Sequence, residues 1–355
     1  MNTAPPSRCH PLGTHRVLEP PGVMPQEAWR LDNTPEASRS EILCDVEVLN
    51  IDSASFKQIA QACDFDAERI GEHILENVRT RGKQHNPVTG SGGMFVGRIR
   101  EIGGDLSDRI DLRAGDRIAS LVSLTLTPLL LEAVTRVDVA TARVWVRGTA
   151  ILFSSGLWAR LPADIDEGVA LAVLDVAGAP AQVRRLCRPG QTVVVVGADG
   201  KSGLLACAQA RECVGESGRV IGIVPDAQTR GAMLLRELGY VDELIVADAR
   251  NAVAASGAVA AAAPHAADLV VNCVNVPGTE LCSILCAREG GTIYFFSMST
   301  SFTAAALGAE GIGRDVTMII GNGYTKDHAQ TALQTLRDRP RLHAHFNETY
   351  ARNAQ

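Results

Sequence analysis

Aromatic side chains are scarce in this chain, at 4% of its 355 residues, which weighs against a pocket built on ring stacking. No apolar run approaches the roughly 20 residues needed to span a bilayer, so no membrane partner is expected. Basic residues nowhere cluster five or more together and the formal charge is −6, which removes the electrostatic footprint of a nucleic-acid binder. The N-terminal stretch carries Pro5, Pro6, Pro11, Pro20, Pro21 and Pro25 and lacks the apolar core of a signal peptide. The nine cysteines are odd in number and form no C-x-x-C pair, a pattern that reads as reduced thiols of a cytoplasmic protein. The eight histidines are scattered, and a zinc site needs three or four converging ligands, so no metal is expected. What remains is a 46% apolar chain long enough for two domains.

The most informative stretch is Gln191 to Gln209, QTVVVVGADGKSGLLACAQ. Val193 to Val196 form a short β-branched run with no polar interruption, as in a central parallel strand buried on both faces. Gly197, Gly200 and Gly203 then fall three apart, and an Ala/Leu-rich helix opens after them. A strand, a glycine turn and a helix are the parts of a dinucleotide site. Such a turn lets backbone N–H groups approach a pyrophosphate at a helix amino end. The spacing is G-x-x-G-x-x-G rather than G-x-G-x-x-G, and a plain βαβ crossover is the alternative. Context favours the cofactor: RVIGIV at 219–224 is a second apolar strand, and Asp226 beyond it is placed to bond the adenosine ribose.

Residues 1 to about 40 read as an irregular arm. Glu41 to Ile51 alternates as a half-buried strand, and Ser55 to Thr80 reads as mainly helical, burying Phe56, Ile59, Ile70, Ile74 and Val78. Short strands dominate from there to Ile151. An Ala/Leu/Val helix is expected from about Leu161 toward Leu186. Beyond Asp226, strands at 243–246, 268–273, 292–296 and 316–320 alternate with helical stretches, which implies a doubly wound parallel sheet. A helix over Thr325 to Arg337 closes the chain.

The order of these pieces resembles the medium-chain dehydrogenase/reductase superfamily over roughly residues 41–345. EILCDVEVLNID, PVTGSGGMFVGRIREIG and LRAGDRI are similar to its GroES-like module, Leu161-Pro162 to the lead-in of its cofactor domain, and Gly197 to Gly203 to its nucleotide turn. The resemblance implies an α/β fold: a mostly-β GroES-like catalytic domain (1–160 with a return at 325–355) and a Rossmann cofactor domain (161–324). A narrower resemblance, carried by VTGSGGMFVGRI, GADGKSGLL, IYFFSMSTSFTAAALGAEGIG and MIIGNGYTKDHA, is to the L-erythro-3,5-diaminohexanoate dehydrogenases of lysine fermentation. That family oxidises its diamino acid with NAD(P)+ to 5-amino-3-oxohexanoate and ammonia. Zinc-dependent members of the superfamily place a Cys after the first strand and a Cys or His further on; Asp52 and Asp175 stand at those points here. The cysteine cluster of the structural zinc has no counterpart.

The substrate so implied carries two ammonium groups and one carboxylate, for which carboxylates are the natural ligands. Asp52 and Asp175 are candidates, one to anchor an ammonium and one to act as general base. Their alternatives are a helix cap for Asp52 and a mid-helix position for Asp175. Ser91, among Gly90, Gly92 and Gly93, is a third candidate, with simple turn-making as its alternative. On the cofactor side, Asp199, Lys201 and Ser202 lie in the glycine turn, the last two facing the pyrophosphate. Asn272, Asn275 and Ser297 follow strands at their carboxyl ends, where nicotinamide-ribose and amide contacts are expected. Glu310 is a further candidate for an amino group, and Asn322, Tyr324 and Lys326 for a domain or subunit contact. Asp226 favours NAD by repelling a 2′-phosphate, while Arg230 nearby would suit NADP. A homo-oligomer, a dimer at least, is implied by the superfamily's habit of joining at a sheet edge. The competing readings are a zinc-free quinone or enone reductase and a non-catalytic NAD(P)-binding protein.

Overall fold

The computed structural model describes residues 9–87, 90–321 and 323–351. The chain divides into two compact units between Glu167 and Gly168.

In the first unit, β1 (Val17–Glu19) and β2 (Arg30–Leu31) form a small antiparallel ribbon. Six further strands follow: β3 (Glu41–Asn50), β4 (Met94–Ile102), β5 (Arg117–Ser120), β6 (Leu129–Asp138), β7 (Arg143–Phe153) and β8 (Trp158–Arg160). They form one sheet in the order β6-β7-β3-β4-β5-β8, antiparallel throughout. Two helices, α1 (Ser53–Ala62) and α2 (Ala67–Arg81), leave the sheet between β3 and β4. The single helical stretch expected there is broken because Asp64 and Phe65 adopt positive φ. Its five expected core residues are all buried, packed with Ile42, Cys44 and Val46 of β3.

β3 is not half-buried. As a central strand it turns Leu43 to a second cluster with Ile151 and Phe153, which the arm residue Ala37 covers. The arm is pinned by polar contacts. Arg16 donates to Glu41 through Nε at 3.0 Å and Nη2 at 2.7 Å, and His15 Nε2 lies 2.8 Å from the same carboxylate. The buried Lys83 donates to the carbonyls of Pro25 and Gln26 at 2.8 and 3.2 Å. Burial brings the Lys83 ammonium down to about 8, the nearby Arg81 charge adding to the effect. In place of the short strands expected before Ile151, β6 and β7 form one long hairpin.

The second unit opens with α3 (Glu167–Leu174), which starts on the last residue of the first, and α4 (Gly178–Leu186). Then come β9 (Thr192–Val196), α5 (Lys201–Val214), β10 (Arg219–Val224), α6 (Arg230–Glu237), β11 (Glu243–Val246), α7 (Ala252–Ala262) and β12 (Ala267–Asn272). After them run α8 (Glu280–Cys286), β13 (Ala287–Phe295), α9 (Phe302–Ile312), β14 (Thr317–Ile320), α10 (His328–Arg337) and α11 (Pro340–Tyr350). The sheet is parallel, in the order β11-β10-β9-β12-β13-β14, the doubly wound arrangement. Val193 to Val196 of β9 are fully buried between β10 and β12.

Two expectations are corrected. The long helix toward Leu186 is two helices: Pro180 has no N–H and is tolerated only in a first turn, so a new helix starts at Gly178. The described residues 325–351 group with the second unit. α10 packs on α4 and α5, burying Ala329, Ala332, Leu333 and Leu336, and Thr335 Oγ1 bonds Gln209 Oε1 of α5 at 3.1 Å.

Candidate functional site

In the second unit, β9 ends at Val196 and the chain turns through Gly197, whose φ of +78° favours glycine. α5 then starts with Gly200 as its N-cap, and among the described residues no side chain caps it; its first bond runs from Leu204 N to Gly200 O at 2.8 Å. The first-turn amides are therefore open to an external acceptor. A Cβ on Gly200 would meet nothing nearer than 4.0 Å, so that side of the turn is open. Gly203 is the reverse: a Cβ there would lie 2.2 Å from Gly197 O and 2.7 Å from Ala198 Cα. The helix packs on the turn after β9 through this glycine, and the turn fits a dinucleotide pyrophosphate. Gly203→Ala is expected to cost about 2–3 kcal/mol of stability, since the atoms it meets are backbone, and to weaken nicotinamide dinucleotide binding. Thermal melting and NADH fluorescence titration check both effects.

The side chains of the turn are committed differently from the sequence expectation. Asp199 Oδ2 accepts from Thr229 Oγ1 at 2.9 Å, and Thr229 caps α6 by accepting from Ala232 N at 3.1 Å. Ser202 is buried and hydrogen-bonds the Cys273 thiol rather than facing outward. Burial pushes that thiol up to about 12 against the opposing effect of the Ser202 bond. Lys201 Nζ donates to Asp175 Oδ2, so its charge is met by a carboxylate of the chain itself. Asp175 thus stands in the break between α3 and α4 and not in mid-helix. Tyr350 lies near this pair: burial raises its hydroxyl's pKa, Asp175 adds to the rise and Lys201 opposes it.

At the strand ends, Asp226 follows β10 and its Oδ1 accepts from Gln228 N at 2.8 Å. Arg230 pairs instead with Glu348 of α11, both side chains more than half exposed. Asn272 is a correction. It is fully buried, its Nδ2 donates to Thr279 Oγ1 and Ser283 Oγ at 2.9 Å each, and its Oδ1 accepts from Val274 N at 3.0 Å. That carboxamide shapes the loop after β12 and has no N–H left for a ribose. Asn275 is exposed; its Oδ1 accepts from Ser297 Oγ at 3.4 Å and Ser299 Oγ at 3.3 Å. The loops after β12 and β13 are thereby tied together at the carboxyl end of the sheet. Glu310 is exposed on α9, Tyr324 packs edge-on against His328 with centroids 5.3 Å apart, and Asn322 lies outside the described residues.

In the first unit, Asp52 caps α1: its Oδ1 accepts from Ser55 N at 2.9 Å. Among the described residues its Oδ2 is buried and has no partner. Gly93 lies directly against this point. At φ +83° it is in the glycine region, and a Cβ on it would meet Asn50 O at 2.2 Å and Asp52 N at 2.8 Å. The segment carrying Ser91 is held by Asn86 N donating to Ser91 O at 2.9 Å, and by Gly92 N donating to Ser123 Oγ at 3.1 Å.

Sequence reasoning passed over the neighbours in this polar cluster. Asn86 Nδ2 donates to Gln58 Oε1 at 3.1 Å, Asn77 Nδ2 to Gln84 Oε1 at 3.0 Å, and His85 Nδ1 bonds Thr125 Oγ1. Burial, reinforced by the charges of Lys83 and Arg81, lowers His85 to about 4, so it stays neutral at ordinary pH. Asn77, His85 and Asn86 also line a cleft of about 660 Å³. The run Lys83-Gln84-His85-Asn86 before the glycine-dense segment was the available signal. Among the described residues, no group of three or more His, Cys, Asp or Glu is placed to hold a metal ion.

Comparison with known proteins adds the following. Residues 15–162 match the family model described as the L-erythro-3,5-diaminohexanoate dehydrogenase N-terminal domain. The chain is 51% identical over 339 residues to the L-erythro-3,5-diaminohexanoate dehydrogenase of Acetoanaerobium sticklandii, covering 95% of this chain and 98% of that one. It is 49% identical to the enzyme of the same name from Fusobacterium nucleatum, with the same coverage. Among solved structures, a mycobacterial quinone oxidoreductase aligns with TM-score 0.52 at 17% identity, over 89% of this chain and 83% of that one. A mycobacterial protein complexed with NADPH aligns with TM-score 0.53 at 15% identity, over 88% and 82%. The CurK enoyl reductase gives TM-score 0.53 at 15% identity, over 94% and 85%. These three share the fold.

Proposed function

The chain belongs to the L-erythro-3,5-diaminohexanoate dehydrogenase family, and we infer that it oxidises L-erythro-3,5-diaminohexanoate with NAD(P)+ to 5-amino-3-oxohexanoate and ammonia, a step of lysine fermentation. The observation that carries this is about half identity, sustained over nearly the whole of both chains. The test is direct. Purified protein given the diamino acid and NAD+ or NADP+ should form reduced nicotinamide and release ammonia in equal amounts. NADH oxidation by a quinone, with no turnover of the diamine, would reverse the reading.

The bound dinucleotide supplies the acceptor for the electron pair leaving carbon-3. Holding it falls to the glycine turn, through the open amides at the start of α5 and the bare face of Gly200, with Gly197 and Gly203 setting the turn's shape. Asp175 is best read as orienting Lys201, which keeps the turn's one lysine in place beside those amides. Asn275 and Ser297 sit where open sheets hold the nicotinamide end.

Asp52 is the chain's best ligand for a substrate ammonium. A buried acceptor without a partner costs about 1–3 kcal/mol, and an ammonium donor removes that cost while gaining a charge-assisted bond. Ser91 belongs to the same reading, as a hydroxyl on the segment packed against the start of α1.

NAD is the preferred dinucleotide. The exposed Arg230–Glu348 pair is worth about 1 kcal/mol at most, so Arg230 decides little and the argument rests on Asp226. Asp226→Ser is expected to shift the NAD/NADP ratio of kcat/KM about tenfold toward NADP, the equivalent of about 1.4 kcal/mol. Steady-state kinetics with both dinucleotides reads it. A homo-oligomer in the cytoplasm fits the same reading: β14 is an edge strand with Ile320 37% exposed, and neighbouring α9 exposes Phe302, Leu307 and Ile312.

A further inference from the structure

Among the described residues the cysteines are all free thiols, and most are shielded. Cys44 and Cys207 are fully buried, and burial pushes both thiols up. Cys282 and Cys286 face each other one turn apart on α8, both inside the core. One pair is different. Cys187 is the C-cap residue of α4, and Cys213 lies in the last turn of α5. The two helices pack together, and Gly190 N donates to Val214 O at 2.9 Å, which stitches the segment after Cys187 to the end of α5.

The two thiols lie beside each other, Cys187 buried with its Sγ donating to Arg188 O at 3.8 Å and Cys213 partly exposed. One turn back on α5, Gln209 Nε2 donates to Cys213 Sγ at 3.5 Å. The Arg184 guanidinium brings positive charge to the same sulfur, while Glu212 opposes it. A partly exposed sulfur with an amide donor, a neighbouring thiol and a cation beside it is the environment of a reactive cysteine.

We propose that Cys213 is an oxidisable thiol and Cys187 its resolving partner, the pair closing reversibly to a disulfide between the ends of α4 and α5 on exposure to a hydroperoxide. The first step is attack of the Cys213 thiolate on a peroxide oxygen. An S–O bond forms, the O–O bond breaks, and the departing hydroxide leaves as water. Cys187 sulfur then attacks Cys213 sulfur. The S–S bond forms, the S–O bond breaks, and the hydroxide leaves as water with the Cys187 proton. Two thiols are oxidised by two electrons and hydrogen peroxide is reduced to two waters. The neighbouring Cys187 thiol, helped by the bond from Gln209 against the effect of burial, holds the Cys213 thiol below its usual range and so favours the thiolate.

Trypsin separates the two residues cleanly: Cys187 falls in peptide 186–201 and Cys213 in 212–219, each with one cysteine. Full-length reduced protein treated with hydrogen peroxide, blocked with N-ethylmaleimide and digested should yield these two peptides as one disulfide-linked species, removed by dithiothreitol. Cys213→Ser should abolish the link. Cys187→Ser should leave Cys213 as a sulfenic acid that dimedone traps. In the untreated wild type, Cys213 should be alkylated about tenfold faster than Cys9 or Cys273. Recovery of Cys187 and Cys213 as separately alkylated peptides after peroxide overturns the proposal, whether or not other cysteines have oxidised. So does linkage of either one to a different cysteine, and so does ordinary labelling speed at Cys213.

Discussion

Replacing Asp52 by Asn is expected to lower kcat/KM for the diamino acid about 100-fold while leaving the melting temperature nearly unchanged. The two carboxylate oxygens have separate duties. Oδ1 caps α1 through Ser55 N, and Asn is as good an N-cap as Asp, so the helix start survives. Oδ2, buried and without a partner among the described residues, becomes an NH₂ group or presents an uncharged oxygen. Either way the charge-assisted bond to an ammonium is lost, a loss of about 2–3 kcal/mol, or roughly two decades in rate constant. Asp52→Ala should add to this about 1 kcal/mol of lost stability, because it also removes the cap. Kinetics and thermal melts on the two variants therefore separate charge from cap. If Asp52→Asn turns over the diamine at the wild-type rate, Asp52 is a helix cap and the ammonium is held elsewhere.

The cofactor half of the site was legible in the sequence because its logic is local. Val193 to Val196, the three glycines and the following helix are contiguous, and each residue type answers a backbone requirement within a few positions. The partners of those residues were not legible. Lys201 meets Asp175 across 26 positions and Asp199 meets Thr229 across 30, pairings that only the packed helices decide. Asn272 illustrates a subtler limit. It stands where a ribose ligand belongs, yet Thr279 and Ser283 on the next turn of chain consume its donors.

Other differences had signals in the sequence. Ser301 and Gly313 bracket α9, one accepting from Ala304 N and the other ending the helix at φ +62°, the usual marks of a helix start and stop. Gly178 and Pro180 mark the start of α4 in the same way. Composition masked both signals, since Ala-rich stretches look helical wherever they begin. Asp52 was legible as a cap and as a candidate ligand at once, and the geometry leaves it room to be both.

Truncating Glu41 to Ala is expected to cost about 3–5 kcal/mol of the first unit's stability, the range for removing one partner of a buried ion pair. Glu41 has no exposed surface and meets Arg16, His15 and the backbone N–H of Ser38 at 2.8 Å. Arg16 is itself nearly buried, so deleting the carboxylate strands a guanidinium that also anchors the arm through Thr34 O at 3.0 Å and Glu36 O at 2.6 Å. The pH dependence fixes the cause. Burial by itself would raise the Glu41 pKa, but the bonds from His15, Arg16 and Ser38 N, with the charge of Arg16, outweigh it and hold the carboxyl far below its usual range. A group whose pKa is depressed by folding lends stability that is complete above its unfolded value, near 4.3, and that drains away as pH falls toward the folded value. Wild type should therefore lose stability steeply below about pH 5, while Glu41→Ala loses less over the same range, so the gap between them narrows in acid. Denaturant unfolding at a series of pH values, followed by hydrogen exchange at β3, measures that gap. A gap that stays constant with pH would mean that Glu41 contributes by packing volume, with its charge offset by the cost of burying it.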